Sequence, residues 1–227
     1  MSVSNFPNAR RSLARGLARQ AMAEAANDNA DTSRILTELH GMSPNTRNRQ
    51  RFAARLRARR GVVHARAVKD GLVVVLRSVM AVDLRKEGVS CFSEDRIAWT
   101  HVHVRCGKRS IGFKLDVVHV THHAIQRRVE RSDCPLNDLL GVMDAAMLRA
   151  LSRLAKGGVL TDRDDDFLPA QKGVWAGGME ETCAHSSWGP AFGGGAPLQV
   201  FAIRTYLGEA EMRPTVWLHW SESRSAA

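Results

Sequence analysis

The 227-residue chain is poor in several residue types, and each shortage narrows what it can be. It has one tyrosine, and its 27 arginines stand beside only six lysines. The four cysteines form no C-x-x-C pair, which argues against a zinc knuckle and favours reduced thiols of a cytoplasmic protein. No run is both long and apolar enough to span a bilayer, and the N-terminus lacks the apolar core of a secretory signal.

Acidic residues are scarce in residues 1–60, which contain twelve arginines, no lysine and four acids. This segment therefore carries +8 of the formal net charge of +10. A basic segment on a near-neutral body predicts a polyanionic partner, first the phosphate backbone of RNA or DNA and second an anionic membrane surface. Codon-driven accumulation of arginine is the alternative. The first four arginines also resemble an organellar transit peptide, which competes with the cytoplasmic assignment.

Residues 1–60 are expected to form a basic helical arm. The pattern predicts a helix over 8–26, a second that begins at Asp31 or Thr32 and ends near Leu39, and a third over 44–60. The third helix has arginines in nearly every direction and only Phe52 and Leu56 as apolar anchors, so we expect it to pack little on the rest. Its arginines are the candidate nucleic-acid-binding residues: Arg47, Arg49, Arg51, Arg55, Arg57, Arg59 and Arg60.

From residue 61 the pattern changes to strands. One hairpin is predicted over 61–79, with its turn at Asp70-Gly71, and a second over 97–120, with its turn at Gly107-Lys108. Alternation places His101, His103 and Arg105 on one face and Cys106 on the other, so these residues do not form a metal-ligand set. The sheet is expected to have one buried side.

Two helices follow, one capped by Thr121 and one opened by Pro135. Residues 157–197 are expected to be rich in loops, 198–207 to be a strand, and the tail to be helix or strand. The fold class is therefore α+β: a basic helical N-terminal arm followed by an antiparallel sheet packed with two central helices. The domains are an arm over 1–60 and a single domain over 61–227.

The helix after Thr121 carries the most suggestive chemistry. His123, Arg127 and Arg131 are spaced by four and lie along one stripe, where an imidazole could transfer a proton and guanidiniums could hold a phosphate. Arg128 points to another side and is expected to tolerate alanine. A solvated face with Glu130 forming ion pairs is the alternative interpretation.

The segment His123-Ala124-x-x-Arg127-x-x-x-Arg131 resembles one in many small uncharacterised bacterial proteins. It is also similar to the helix of RelE-like and EndoU/colicin-like metal-independent ribonucleases. The resemblance implies a hydroxyl residue on a late strand, for which Arg204-Thr205-Tyr206 offers Thr205 or Tyr206. It also implies that the RNA 2′-OH is the nucleophile and that neither metal nor cofactor takes part.

Two hypotheses follow, and the sequence leaves both open. In the first, the chain is a toxin-like, metal-independent endoribonuclease with His123, Arg127, Arg131, Thr205 and Tyr206 as its site. In the second, it is a non-catalytic nucleic-acid-binding or regulatory protein that uses its arginine-rich arm. A protein partner is compatible with either.

Overall fold

A computed structural model describes residues 6–42, 45–86, 89–107, 110–132, 135–183, 188 and 196–225. Its six helices are α1 (Phe6–Ala26), α2 (Asn29–His40), α3 (Thr46–Arg57), α4 (His122–Arg131), α5 (Leu139–Leu154) and α6 (Pro214–Ser225). Its eight strands are β1 (Val62–Val68), β2 (Gly71–Lys86), β3 (Val89–Cys106), β4 (Ile111–Thr121), β5 (Leu160–Asp162), β6 (Asp165–Ala170), β7 (Gly173–Cys183) and β8 (Pro197–Gly208). The α+β class with a helical N-terminal region is thus confirmed.

The strands hydrogen-bond in the order β1-β2-β3-β4-β8-β7-β6-β5. The pairs β1–β2, β2–β3, β5–β6 and β6–β7 are antiparallel. A hairpin joins β1 to β2 as the sequence predicts, but its two turn residues are Lys69 and Asp70, one residue earlier than expected, because Val68 pairs with Gly71. By its own contacts the chain falls into two units, one of residues 25–118 with 180–200, and the other of residues 1–24, 119–179 and 201–227.

In the unit of residues 25–118 and 180–200, α2 and α3 pack on the sheet. Ile35, Leu36, Ala53 and Leu56 are buried in one apolar cluster with residues of β1 to β4. The expectation that residues 1–60 pack little is therefore wrong for these two helices. The helix-wide spread of arginines hides a narrow apolar side, to which the small residue Ala53 contributes beside Phe52 and Leu56. Whether 1–60 separates from 61–227 as a piece stays a prediction.

Polar contacts fix the start of α2 to β2. The buried Asp28 carboxylate accepts hydrogen bonds from Arg77 Nε and Nη2 at 3.0 and 2.7 Å. Asn29 exchanges two hydrogen bonds with the backbone of Val79, and Thr32 Oγ1 donates to the carbonyl of Arg77 at 3.0 Å. The helix begins at Asn29 and not at the predicted Asp31 or Thr32. Thr32 donates to β2, and Asp31 accepts from Arg34 and Arg59.

The described part of residues 157–197 is not the loop-rich segment that we expected, since β5, β6 and the whole of β7 lie there; 184–187 and 189–195 lie outside the described residues. Their aspartates sit in a hairpin, where Asp166 accepts a hydrogen bond from Thr161 at 2.7 Å. Gly177 suggests a break in the strand when read from the sequence. In the structure it lies within β7 and allows β8 to approach closely. A Cβ atom there would lie 1.9 Å from the carbonyl oxygen of Ala202 on β8.

The helix boundaries follow their capping groups. Thr121 Oγ1 accepts a hydrogen bond from Ala124 N at 3.1 Å, which confirms the predicted start of α4. The next helix does not open at Pro135 as expected. It begins at Leu139, because the Asp138 side chain caps Gly141 N at 3.0 Å. The tail is helical as α6, whose Trp220 is buried and whose indole N–H donates to the Ala170 carbonyl at 2.8 Å.

Leu56→Ala should lower the free energy of unfolding by about 2–5 kcal/mol, because it leaves a cavity in the cluster beneath α3. Chemical denaturation of the full chain measures this loss. Leu13→Ala on α1, whose side chain is half exposed, is the matched control and should change stability by less than about 1 kcal/mol. Equal, small effects of both substitutions would show that α3 is not anchored.

Candidate functional site

Helix α4 presents the predicted stripe to solvent. Ala124, Ile125 and Val129 are buried, and His123 is exposed one residue before them. Arg127 Nε donates to His123 Nε2 at 3.3 Å, so these two members of the stripe do meet. Burial and the neighbouring charges of Arg127 and Arg131 lower the pKa of His123 below its ordinary value. The imidazole is therefore neutral at neutral pH and accepts from Arg127.

Arg127 is held on its other side by an acid on the same helix. Its Nη1 lies 2.8 Å from Glu130 Oε2, while Gln126 Nε2 donates to Glu130 Oε1 at 2.7 Å. Burial alone would raise the pKa of Glu130, but these two hydrogen bonds outweigh it and lower the pKa. The carboxylate is thus charged at neutral pH, and it competes with a phosphate for Arg127.

Arg131 serves as a brace between α4 and the end of β8. Its Nη1 donates to the backbone carbonyl of Tyr206, and its Nη2 lies 2.6 Å from Glu211 Oε1. Glu211 Oε2 in turn accepts from Gly208 N at 3.0 Å. The guanidinium fork is therefore filled by a carbonyl and a carboxylate, which are the kinds of oxygen that a bound phosphate would replace.

The hydroxyl of Tyr206 is buried, and it is Arg128 that binds it. Tyr206 is fully buried, and Arg128 Nη1 donates to its hydroxyl at 2.5 Å. The Arg128 guanidinium also lies 4.6 Å from the Tyr206 ring centroid and 5.9 Å from that of Trp175. Arg128 thus faces a different side from the stripe, as expected, but that side is buried because the side chain curls beneath the helix onto these rings. Its tolerance of alanine stays a prediction for activity, although these contacts give the side chain a structural role.

Thr205 is half-buried and lies on the face of β8 opposite to Tyr206, since successive side chains of a strand alternate. Leu207, on the same face as Thr205, packs with Val216 and Trp220 of α6. Tyr206, on the other face, contacts α4. Of the five predicted catalytic residues, His123 and Arg127 contact each other. Arg131 contacts the backbone carbonyl of Tyr206. The structure does not bring the two hydroxyls to His123.

The predicted nucleic-acid-binding arginines fall into two groups, those that are buried or paired with an acid and those that are exposed. Arg49 is buried, and Arg59 is bound by Glu38 and Asp31 at 2.5 and 3.5 Å. Arg60 Nε lies 3.6 Å from the buried Asp28. The remaining four are exposed on or at the end of α3: Arg47, Arg51, Arg55 and Arg57.

A second polar face lies on the sheet of the same unit. Leu72, Val74 and Leu76 of β2 enter the apolar cluster with α2 and α3, so the alternate residues of β2 occupy the opposite face. By the strand register that face also holds His64 of β1 and His101 of β3. His101 Nδ1 lies 3.2 Å from Asp116 Oδ2 of β4. The sequence placed His101 and His103 on one face, but only the register adds His64 and only the fold adds Asp116.

No three His, Cys, Asp or Glu side chains among the described residues are grouped as a metal site requires. None of the described helices has the length and apolar content to cross a membrane. In comparisons with known proteins, no family model matches the chain, and neither the curated proteins nor the solved structures give a match.

Arg128→Ala should lower the free energy of unfolding by about 2–3 kcal/mol, because the Tyr206 hydroxyl then loses its charged donor inside the fold. Thermal or chemical denaturation measures the change. Arg127→Ala, on the partly exposed stripe, is the matched control and should cost less than about 1 kcal/mol. A larger loss for Arg127 than for Arg128 would contradict the assigned contacts.

Proposed function

We propose that the protein binds the phosphate backbone of RNA or DNA through an arginine ridge, defined as Arg47, Arg51 and Arg55 of α3. The observation that carries this proposal is that the three side chains are exposed on one stripe, while the opposite side of α3 is buried in the apolar cluster. At 1.5 Å per residue, their Cα atoms follow one another about 6 Å apart along the axis. A row of fixed guanidiniums suits a regularly charged polymer.

No acidic side chain on α3 offsets the positive charge of the ridge. Helix α3 has no acidic residue, and like charges at i,i+4 destabilise a helix by about 0.2–0.5 kcal/mol per pair. Arg47 also lies in the first turn, where the positive end of the helix dipole disfavours a cation. The buried Leu56 and Ala53 hold the helix in place against these costs. A polyanion would remove the repulsion, which supports binding as the use of the ridge.

The contacts of Arg55 support the proposal that the ridge binds an anionic ligand. Its side chain is 65% exposed, although its Nη2 lies 3.5 Å from Glu38. The guanidinium rests 4.8 Å above the ring of Phe52, which fixes its direction. Glu38 already has a closer partner in Arg59, at 2.5 Å, so its hold on Arg55 is weak.

The structure favours nucleic acid over the competing anionic membrane surface. A helix that lies on a membrane inserts its apolar face into the lipid. In α3 that face is occupied, because Leu56 is buried in the cluster and Phe52 packs against it. The ridge can therefore bind an anion through its charge, but the apolar side of α3 is already packed in the protein and does not insert into lipid.

Helix α1 repeats the spacing in the other unit. Arg11, Arg15 and Arg19 are exposed at intervals of four, while Ala14 and Ala18 on the adjacent side are buried. We include this stripe as a second contributor to the same kind of binding. Loss of the α3 ridge alone should then weaken binding and leave a remainder.

Replacing Arg47, Arg51 and Arg55 together by Gln should weaken binding to a mixed-sequence oligonucleotide. It should also make the slope of log affinity against log salt shallower by about 2–3, one unit per lost phosphate contact. Fluorescence anisotropy at several salt concentrations measures both quantities. Little dependence on base sequence is expected, because backbone contacts carry no sequence information.

The matched control replaces three exposed cations of the other unit, Arg149, Lys156 and Arg163, by Gln, with the same loss of charge. If this control weakened binding as much as the ridge variant, net charge alone would explain the affinity. Binding to anionic lipid vesicles in preference to oligonucleotides would favour the membrane instead.

A further inference from the structure

We infer that the sheet face opposite to α3 carries an RNA-cleaving site, in which His64 and His101 act as the proton acceptor and donor and Asp116 positions His101. This inference rests on the proposed binding of nucleic acid by the α3 ridge, and it adds a reaction and a substrate class, RNA. The site differs from the α4 stripe and draws all its residues from the unit of residues 25–118 and 180–200.

The register of three strands sets the two imidazoles in one row. His64 on β1 and His101 on β3 both pair with Val75 of β2, so all three side chains point to the same face. Adjacent strands lie about 4.8 Å apart, which separates the two histidine Cα atoms by about 10 Å. Val75 lies between them and is buried, so the two rings flank a short apolar side chain. A phosphodiester lying over Val75 would have one imidazole on each side.

His101 is oriented as a proton donor requires. Asp116 Oδ2 lies 3.2 Å from its Nδ1, which assigns the Nδ1 proton to that contact and leaves Nε2 for a substrate. Lys114 Nζ lies 3.2 Å from the other carboxylate oxygen. The hydrogen bond with His101, with the help of Lys114, lowers the pKa of Asp116 against the effect of its burial. A carboxylate that stays charged stabilises an imidazolium beside it.

His64 has the opposite environment. Burial, then the charges of Arg66, Arg57 and His101, lower its pKa below the ordinary histidine value. The ring is therefore neutral at neutral pH and free to accept a proton. His64 is therefore suited to accept a proton, while the contact of Asp116 with Nδ1 of His101 leaves Nε2 of that ring to donate one.

The cleavage step balances without a metal or another reactant. His64 takes the proton of a ribose 2′-OH, and O2′ forms a bond to the adjacent phosphorus as the bond from phosphorus to O5′ breaks. His101 gives its Nε2 proton to the departing O5′. The products are a 2′,3′-cyclic phosphate and a 5′-hydroxyl, and exchange with water returns both histidines to their starting states.

Two arginines, Arg66 and Arg57, lie near the row formed by His64, Val75 and His101. Arg66 is exposed and pairs with Val73 on β2, one row further along the same face as His64. Arg57, at the end of α3, is close enough to influence His64. Arg57 follows the ridge on α3, and β1 is an edge strand of the sheet. A nucleic-acid strand that continues past Arg57 and round this edge reaches the histidines, where Arg66 can neutralise charge developing on the phosphate.

His103 lies on this face but is not part of the proton-transfer pair. It pairs with Val73 in the row of Arg66. Its Nε2 lies 3.7 Å from Asp70 in the β1–β2 turn, so an acid already faces it.

The test is cleavage of a short single-stranded RNA by the full chain in EDTA, with products identified by mass spectrometry. We expect a 2′,3′-cyclic phosphate, no cleavage of the matching DNA, and a bell-shaped dependence of rate on pH. His64→Gln and His101→Gln should each lower the rate by about a hundredfold or more. Asp116→Asn should move the alkaline limb of the profile to lower pH, which a purely structural role would not do.

His219→Ala, an exposed histidine of α6, is the matched control and should leave the rate unchanged. Thermal unfolding of each variant shows whether it is folded, and a folded His64 or His101 variant with wild-type activity would overturn the inference. Activity lost on His123→Ala alone would assign cleavage to the α4 stripe instead.

Binding of the uncleavable DNA, measured in parallel, separates this inference from the proposed function. If wild-type protein binds that DNA and leaves RNA intact, the sheet site is not catalytic and the binding function stands. If it binds neither RNA nor DNA, the proposed function fails with it.

Discussion

The ion pair between Asp28 and Arg77 is the interaction on which much of the unit of residues 25–118 and 180–200 depends. It joins the turn before α2 to the middle of β2, and Asn29 and Thr32 add backbone contacts on either side. Because both charges are largely buried, removing one partner would leave the other uncompensated. The pair fixes α2, and α3 then packs on the same cluster. The arginines of α3 therefore point outward from a fixed support instead of from a loose arm.

The contacts of α4 show how similar side chains can serve structure or chemistry. Arg131 binds a backbone carbonyl and a carboxylate of its own unit, and Arg128 binds the phenol of Tyr206. Both arginines therefore hold β8 in place. His123 and Arg127 remain at the surface, but no hydroxyl joins them. On the sheet face of the other unit, His64 and Arg66 make fewer polar contacts. Asp116 contacts His101 at Nδ1, so Nε2 faces away from this carboxylate. Residue types alone do not separate these two arrangements.

Local signals in the sequence predicted much of the fold. The hairpin between β1 and β2, found within one residue of its predicted turn, and the Thr121 cap depend on a few neighbouring residues, so both can be predicted from the local sequence. The anchoring of α3 could not be read in this way, because one leucine and one alanine suffice only when a partner surface is present. The strands after residue 159 were missed because aspartate and glycine usually mark loops, whereas Gly177 is there to admit a neighbouring backbone.

The candidate site was harder to predict for the same reason. Helical spacing correctly aligned His123, Arg127 and Arg131, but it could not show that a long side chain such as Arg128 curls beneath its helix to reach a buried ring. Strand alternation grouped His101 with His103. The more significant neighbours of His101 are set by pairing between strands far apart in sequence, and such pairing has no local signature.

The ridge on α3 is made of arginine alone, and the first 60 residues contain no lysine. Acetylation, the modification that cells use to cancel the charge of basic surfaces, acts on the lysine amine and finds no target there. Guanidinium groups also keep their proton across the physiological pH range. The positive charge of this surface is therefore insensitive both to lysine acetylation and to physiological changes of pH, whereas competing anions and salt still act on what it binds.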